Sequence, residues 1–368
     1  MPSCCSATGR TRCCIACSSP PEAGRRGMLQ AWLESAWYDA SGRRGAGLRP
    51  LGALFGGVVA LRRAAYRRGW LRSARAALPV VVVGNLSVGG TGKTPFCSWL
   101  AAALRARGVV PGLLSRGYGG QQRGARARDV RPGDDPAEVG DEPLLLAAAG
   151  DWPVVVAAER LAGAARLRER GAQLVICDDG LQHYALQRDL EIAVVDAARG
   201  LGNGRLLPAG PLREPATRLA EVDFVVRNGE GGWHPGDAVA SGALFKMQLQ
   251  PAPLRRIDGA AAGRPLDSFR GMPLHAVAAI GNPARFFATL RAAGLEPQEH
   301  AFPDHHAFSV GDLAFGDDWP VLMTSKDAVK CRTFADPRLW ELPVGARLEP
   351  DAGRAIIDRV VSLIHARR

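Results

Sequence analysis

Continuous hydrophobic runs alternate with stretches of helical spacing between residues 77 and 228. The runs are rich in β-branched residues and read "LPVVVVG", "VVPGLLS", "WPVVVAAER", "AQLVICDDG", "LEIAVVDAARG" and "VDFVVRNG". Strands that are covered on both faces by crossover helices are hydrophobic throughout, because neither face meets water. The pattern therefore predicts a doubly wound α/β domain with a parallel sheet over residues 77–228.

A second set of elements follows a segment rich in glycine, "NGEGGWHPGDAVASGA". This composition predicts a linker over residues 229–243. The later strands read "LFKMQLQ", "LHAVAAIG", "PQEHAF" and "PVLMTS", and helical spacing recurs in "PARFFATLRAAG" and "GRAIIDRVVSLIHARR". We expect a second, smaller α/β domain over residues 244–368, which includes the C-terminal helix.

The segment before the first strand, residues 28–76, has a different pattern. It carries Trp32 and Trp37 on one apolar face, and an 11-residue apolar run from Leu51 to Leu61 that arginines bracket. A membrane-spanning helix needs about 20 apolar residues, so this run is too short to cross a bilayer. The arginines favour membrane-surface helices that form an interfacial anchor, and a helix buried in the core is the alternative.

The net charge of the chain and the position of its arginines also favour binding to a membrane surface. The 368 residues include 47 Lys and Arg against 36 Asp and Glu, which gives a net charge of +11. An acidic partner is expected, and nucleic acid, an anionic bilayer and a phosphorylated substrate all qualify. Much of the arginine lies between Arg43 and Arg75 around the apolar run, and no nucleic-acid-binding module is recognisable, so the membrane surface is favoured.

The cysteines do not indicate a disulfide framework. Five of the eight fall within the first 17 residues. A zinc site there is disfavoured because no histidine accompanies them in that segment. We interpret residues 1–27 as a disordered extension that precedes an alternative start at Met28.

The strongest chemical signal is "SVGGTGKT", which stands between a strand and a helix. Its glycines leave backbone amides accessible to phosphates at a helix N-terminus, while the lysine reaches the β- and γ-phosphates and the final hydroxyl suits Mg²⁺. The usual pattern has glycine where Ser87 stands, and a simple glycine-rich turn is the alternative. The predicted nucleotide-binding residues are Ser87, Val88, Gly89, Gly90, Thr91, Gly92, Lys93 and Thr94.

Carboxylates occur at two further element ends. The strand "VICDDG" ends in Asp178 and Asp179, where P-loop enzymes place the acid that holds Mg²⁺. If strand geometry continues, the two side chains point to opposite sides. Asp141 in "VGDEP" precedes a helix, which is explained either by interactions at the helix N-terminus, the favoured alternative, or by a role in accepting a hydroxyl proton.

Three loops carry candidates of weaker specificity. Arg116 and Tyr118 in "LSRGYGG" suit a phosphate or a ribose, or an ordinary turn. Arg213 and Glu214 in "LLPAGPLREP" suit a phosphate and a sugar, or a surface ion pair. The segment "FPDHHAF" contains an Asp-His pair that could be a catalytic relay, a metal ligand set or a capped turn.

Taken in order, these motifs resemble the tetraacyldisaccharide 4'-kinase family of P-loop kinases over residues 28–345. The segments are "VVVGNLSVGGTGKTP", "LSRGYGG", "VGDEP", "CDDGLQH", "RDLEI", "LLPAGPLREP", "FPDHHAF" and "TSKDAVKC". The serine at the loop entrance is also similar to that family. Ser325 stands where glutamate is common, which leaves the roles of Lys326 and Asp327 open.

The resemblance implies a reaction, a place and a set of partners. The enzyme would use ATP and Mg²⁺ to phosphorylate the 4'-hydroxyl of tetraacyldisaccharide 1-phosphate, giving lipid IVA in lipid A biosynthesis. It would work at the cytoplasmic face of the inner membrane of a Gram-negative-type bacterium. Its partners would be the lipid-linked disaccharide and the membrane surface, with no nucleic acid and no obligate protein partner.

The resemblance also implies roles for individual residues. Asp141 would be the base, oriented by His305, and we expect domain closure to bring the two together. Lys93 would contact phosphate, and Thr94, Asp178 and Asp179 would serve Mg²⁺. The residues implied to bind substrate are Arg116, Tyr118, Gln182, His183, Arg213 and Glu214.

A membrane-associated P-loop ATPase that acts as a nucleotide switch is the alternative function. The phosphate loop and the basic anchor fit both functions. The Asp304–His305 pair and the "PLREP" loop favour the kinase, because a simple switch does not need them.

Overall fold

A computed structural model describes residues 32–39, 43–117, 127–236, 239, 243–260 and 262–367. Its larger sheet has nine strands in the order β14-β8-β7-β6-β1-β5-β2-β4-β3. The central neighbours are parallel, and only the outer pairs β14–β8 and β3–β4 are antiparallel. The strands, numbered along the chain, are β1 (Val80–Gly84), β2 (Pro111–Ser115), β3 (Arg128–Asp129), β4 (Val154–Val156), β5 (Leu174–Asp178), β6 (Leu190–Asp196), β7 (Phe224–Asn228), β8 (Leu244–Pro251) and β14 (Val344–Leu348).

Helices cover both faces of this sheet, as the continuous hydrophobic runs predict. Successive side chains of a strand point to opposite faces, so Val81 and Val83 of β1 join one hydrophobic cluster, whereas Val80 and Val82 join the other. The expected doubly wound α/β fold is thereby confirmed. The helices associated with this sheet are α1 (Arg49–Arg67), α2 (Lys93–Ala106), α3 (Pro136–Val139), α4 (Asp141–Ala148), α5 (Arg160–Glu169) and α8 (Pro350–His365).

The smaller sheet has five strands in the order β11-β10-β12-β13-β9. Its pairs are parallel except for β13–β9, and it has its own two hydrophobic clusters. It comprises β9 (Arg255–Arg256), β10 (His275–Ala278), β11 (Gln298–Ala301), β12 (Val321–Thr324) and β13 (Leu339–Leu342), together with α6 (Pro283–Ala292) and α7 (Ser325–Cys331). Short 3₁₀ helices lie at Ala46–Leu48, Ala216–Ala220, Leu266–Phe269, Val310–Leu313 and Arg332–Phe334.

Two elements that we expected in the smaller domain belong to the larger sheet. β8, the strand "LFKMQLQ", pairs in parallel with β7 and antiparallel with β14. The C-terminal helix α8 packs on the core of the larger sheet through Ile356 and Val360, and its Gly353 lies against Trp99 of α2. The hydrophobic pattern predicts each element correctly but carries no information about which strand or helix it pairs with. The smaller sheet is therefore inserted between β8 and β14.

Helix α1 lies on the surface with two unlike faces. Its inner face approaches the "LLPAG" loop, where a Cβ added at Gly56 would lie 2.8 Å from Leu206. Its outer face presents Leu51, Leu54, Val58 and Leu61, which are 53%, 67%, 58% and 65% exposed. Because these four side chains are exposed, the alternative prediction of a helix buried in the core is wrong. None of the helices in the described ranges is long and apolar enough to cross a bilayer.

The packing of α8 predicts a stability effect. Ile356 is fully buried, so Ile356→Ala removes apolar contacts and leaves a cavity. We expect the free energy of unfolding to fall by about 2–5 kcal/mol, measured by urea denaturation followed through tryptophan fluorescence. Arg359→Ala on the exposed face of the same helix is the control, and it should change that free energy by less than about 0.5 kcal/mol. Equal effects of the two substitutions would contradict the packing described for α8.

Candidate active site

The phosphate loop lies between β1 and α2. Gly89 and Gly92 have φ angles of 104° and 94°, which side chains other than glycine rarely adopt. The Asn85 amide donates to the carbonyl oxygens of Ser87 and Gly89 at 2.6 and 3.2 Å. Helix α2 then begins at Lys93, with Gly92 as its N-cap. The loop therefore opens onto a helix N-terminus, which attracts phosphates.

The serine at the loop entrance has a structural explanation. Ser87 is buried and forms an antiparallel bridge with Leu212 of the "PLREP" loop. The Val88 amide donates to the Pro211 carbonyl at 2.9 Å, and the Arg213 amide donates to the Leu86 carbonyl at 2.7 Å. The entrance is thus an extended segment paired with a neighbouring loop, and it does not need glycine. This pairing also fixes Arg213 beside the phosphate loop.

Asn228, which was not predicted from the sequence, supports the phosphate loop through a hydrogen bond. The Asn228 amide, at the end of β7, donates to the Thr91 carbonyl at 2.8 Å. Arg285 of α6 donates to the Asn228 side-chain oxygen at 3.2 Å and to Asp196 at 2.8 Å. The smaller domain is therefore hydrogen-bonded to the support of the phosphate loop. The polar end of the hydrophobic run "VDFVVRNG" was the only signal of this role in the sequence.

Asp178 ends β5, Asp179 follows it, and the two side chains contact different partners. Thr94 donates its hydroxyl to Asp178 at 3.4 Å, whereas Asp179, with a φ of 51°, accepts from Arg213 at 2.9 Å and lies 3.5 Å from the Lys93 ammonium. Burial, with a contribution from the charge of Glu142, raises the pKa of Asp178 to about 7. Burial also acts on Asp179, but Lys93 and Arg213 outweigh it and lower the pKa of this carboxyl to about 2.

These residues fit a Mg²⁺ ion. The Oδ1 atom of Asp178 is buried and lacks a hydrogen-bond partner, and the Thr94 hydroxyl lies beside Asp178. The Oδ1 atom of Asp179 faces the Lys93 ammonium at 3.5 Å. An unpaired buried carboxylate with a raised pKa is stabilised in its charged form by a cation. Within the described part of the chain no group of three or more His, Cys, Asp or Glu could hold a metal. Mg²⁺ needs no such cage, because it is usually held by one or two carboxylates together with substrate phosphates.

Asp141 and His305 meet where the two sheets face each other. Asp141 begins α4 and is 6% exposed, and its Oδ2 atom lies 3.4 Å from Nδ1 of His305 in the loop after β11. The Glu142 amide donates to the other Asp141 oxygen at 3.0 Å. The helix N-terminal interaction that the sequence favoured is therefore present together with the histidine contact. The two residues are in contact without the closure that we expected to bring them together.

The electrostatics of this pair keep Asp141 ionised. Burial alone would raise its pKa, but the hydrogen bond with His305 and the charge of Lys326 outweigh burial and lower it. The same hydrogen bond raises the pKa of His305. A buried carboxylate that stays charged is available to accept a proton.

The predicted substrate residues fall into different environments. Arg116 is exposed at the end of β2, and Gln182 donates to the Asn85 carbonyl at 3.1 Å. Burial, followed by the charges of Arg160 and other arginines, lowers the pKa of His183 to about 4. This imidazole is therefore neutral near pH 7. Tyr118 lies outside the described residues.

Glu214 is buried among protein partners. It is 1% exposed, accepts a hydrogen bond from the Tyr184 hydroxyl, and lies 3.8 Å from Arg218 and 4.0 Å from Arg63 of α1. Its assignment to the sugar site stays a prediction. Its role in the described structure is to connect α1 with the loop that holds Arg213.

The geometry of Gly92 predicts a requirement for glycine. A Cβ at this position would lie 2.5 Å from Nδ2 of Asn228, and the φ of 94° is strained for any other residue. We expect Gly92→Ala to weaken ATP binding about tenfold or more in a calorimetric titration, because strain of this kind costs about 1–3 kcal/mol. Gly133→Ala is the matched control, since a Cβ there meets no atom within 4 Å. ATP affinity that is unchanged in Gly92→Ala would contradict this view of the loop.

The chain is similar to known proteins over most of its length. Residues 45–362 match a protein-family model described as tetraacyldisaccharide-1-P 4'-kinase. The tetraacyldisaccharide 4'-kinase of Alkalilimnicola ehrlichii is 52% identical over 321 residues, covering 87% of this chain and 93% of the relative. That of Halorhodospira halophila is 48% identical over 339 residues, covering 91% and 97%. The crystal structure of the "apo" form of LpxK from Aquifex aeolicus in complex with ATP has a TM-score of 0.71 at 28% identity, covering 87% of this chain and 99% of that one.

Proposed function

The chain belongs to the tetraacyldisaccharide-1-P 4'-kinase family, and we propose on that premise how its residues transfer the γ-phosphate of ATP to the 4'-hydroxyl of tetraacyldisaccharide 1-phosphate. The resemblance seen in the motifs is confirmed by this membership. The enzyme is a lipid-sugar kinase of lipid A biosynthesis, and its product is lipid IVA. The observation that carries the proposed mechanism is the contact between Asp141 and His305 beside the phosphate loop.

The phosphate loop and its basic neighbours bind the nucleotide. Lys93 is held 3.5 Å from Asp179, and Arg213 is bonded to the same carboxylate, so both cations are in place before phosphates arrive. Preorganised charge of this kind stabilises a transferring phosphoryl group. Thr94, Asp178 and Asp179 would hold Mg²⁺, which when bound neutralises charge on the phosphates.

Asp141 acts as the base, and His305 orients it. The 4'-hydroxyl loses its proton to the Asp141 carboxylate as its oxygen forms a bond to the γ-phosphorus, and the bond from that phosphorus to the β–γ bridging oxygen breaks to release ADP. His305 donates to Asp141 and fixes the direction of its carboxylate. Holding acceptor and phosphate in one geometry supplies much of the rate.

The substrate side of the site is basic but holds a neutral imidazole. Burial, followed by the charges of Arg160 and other arginines, lowers the pKa of His183 to about 4 and keeps it unprotonated. A neutral histidine both donates and accepts hydrogen bonds, which suits sugar hydroxyls, while the arginines suit the 1-phosphate. We assign Arg116, Gln182, His183 and Arg213 to substrate binding on this basis.

Helix α1 supports our proposal that the enzyme works at a membrane surface. The apolar stripe formed by Leu51, Leu54, Val58 and Leu61 is exposed on one side of a helix that ends in arginines. Contiguous exposed apolar surface with basic flanks is typical of a helix that lies in the headgroup region of an anionic bilayer. The proposed location is the cytoplasmic face of the inner membrane, where ATP and the acylated substrate are both accessible.

The role of Asp141 is tested by phosphate transfer from γ-labelled ATP to detergent-solubilised tetraacyldisaccharide 1-phosphate. We expect Asp141→Asn to lower kcat by about 10²–10⁴ while ATP affinity stays unchanged, because only proton acceptance is lost. His305→Ala should also lower kcat. The neighbouring His306, which pairs with Asp312 at 3.3 Å, provides the control His306→Ala. Unchanged turnover in Asp141→Asn would exclude it as the base, and ATP hydrolysis without labelled lipid would favour the nucleotide-switch ATPase.

The membrane proposal predicts a loss of binding to vesicles. Leu54→Glu combined with Val58→Glu places charge on the apolar stripe without disturbing buried contacts. Because burying one such side chain contributes about 1.5–3 kcal/mol, we expect co-sedimentation with phosphatidylglycerol vesicles to weaken at least about tenfold. Met272→Glu, at an exposed position of the smaller domain, is the control. Equal binding of the stripe variant and the wild type would contradict the proposed anchor.

A further inference from the structure

Lys326 reaches from the smaller domain into the site. It lies in the first turn of α7, and its side chain is 18% exposed. Its ammonium nitrogen is 3.5 Å from Glu142, 3.8 Å from Asp141, 3.8 Å from Asp304 and 3.5 Å from Nε2 of His305. One cation therefore faces three carboxylates and the imidazole that contacts the base.

The start of α7 holds Lys326 in this direction. Thr324 caps the helix by accepting from the Asp327 amide at 3.3 Å. The fully buried Asp327 accepts from the Ala279 amide at 3.0 Å and pairs with Lys330 at 3.2 Å. Asp327 thus has its own cation within the helix, and the charge of Lys326 is left to act on the carboxylates across the domain boundary.

The charges around Asp141 explain why a further cation is needed. His305 comes from the loop after β11, Lys326 and Lys330 come from α7, and Glu142 follows Asp141 on α4. Without Lys326, Asp141 and Glu142 would repel each other in a poorly solvated site, and like charges raise the pKa of a carboxyl. His305 and the more distant Lys330 would then be the remaining counter-charges.

We propose that Lys326 is a positioning residue that keeps Asp141 ionised and directed towards His305 during phosphate transfer. This inference rests on the proposed role of Asp141 as the base. It also gives a function to the "TSKDAVKC" motif, in which Lys326 joins the smaller domain to the base and Asp327 secures the helix that carries it.

The test is the pH dependence of kcat/KM for the lipid in Lys326→Met, which keeps an unbranched side chain of similar length and removes its charge. It is measured at saturating ATP and Mg²⁺, because a bound cation keeps Asp178 ionised and leaves Asp141 to set the low-pH side of the profile. Asp141 must be ionised to accept a proton, so activity is present above its pKa and is lost as the pH falls through it. Loss of the cation raises the pKa of Asp141. We therefore expect the acid limb, which is the low-pH side of the kcat/KM profile, to move up by about one pH unit, and kcat/KM on that limb to fall about tenfold. The KM for ATP should change less than about twofold, because Lys326 acts on carboxylates and not on the phosphate loop.

Matched variants separate the outcomes. Lys326→Arg keeps the charge and should restore the acid limb, and Lys246→Met, exposed on β8, should leave the whole profile unchanged. Should Lys326→Met fail to fold, Lys326→Gln carries the test, since its side chain also lacks the charge and is polar enough for a partly exposed position. An unchanged acid limb in the variant without the charge overturns the inference. If its KM for ATP is also raised, Lys326 is a phosphate ligand instead. Wild-type protein that transfers no phosphate would instead overturn the proposed function.

Discussion

The site depends on two sheets that present the carboxyl ends of their parallel strands to each other. Asp178 ends β5 of the larger sheet, and Thr324 ends β12 of the smaller one. After β10, the chain approaches the phosphate loop so closely that a Cβ on Gly281 would lie 3.4 Å from the Gly90 nitrogen. Ligands bind at the carboxyl ends of parallel strands because loops and helix N-termini gather there. Where these two ends face each other, Asp141 at the start of α4 contacts His305 in the loop after β11.

Within this arrangement, local charge gives similar carboxylates different tasks. Asp178 is buried without a full counter-charge, and its pKa is raised to about 7. A bound cation would therefore stabilise its charged form. Asp179 already has Lys93 and Arg213, which hold its pKa at about 2 and make it an organiser of those cations. Asp141 stays ionised despite its burial because His305 and Lys326 contact it. In the proposed mechanism Asp178 and Asp179 would serve the metal, Asp179 would also hold Lys93 and Arg213 in place, and Asp141 would accept the proton.

The sequence predicted the elements whose signals are local. The phosphate loop and the "VICDDG" strand end lie where the alternation of strands and helices placed them, because a βα unit fixes its own geometry over a few residues. The membership of β8 and α8 in the larger sheet was not predictable, since it depends on pairing between segments far apart in the chain. Contacts across the domains, such as Asn228 with Arg285, were missed for the same reason. The burial of Glu214 was not predictable either, because a motif does not show whether its acid is exposed.

The most direct test of the account is a structure of the enzyme with a non-hydrolysable ATP analogue and tetraacyldisaccharide 1-phosphate bound together. The account predicts that the 4'-hydroxyl oxygen lies about 2.6–3.2 Å from the Asp141 carboxylate, within hydrogen-bond reach of a base. It also predicts that the Asp141–His305 contact, 3.4 Å in the protein alone, is retained. A 4'-hydroxyl held against a different acid, with Asp141 turned away from it, would contradict the account.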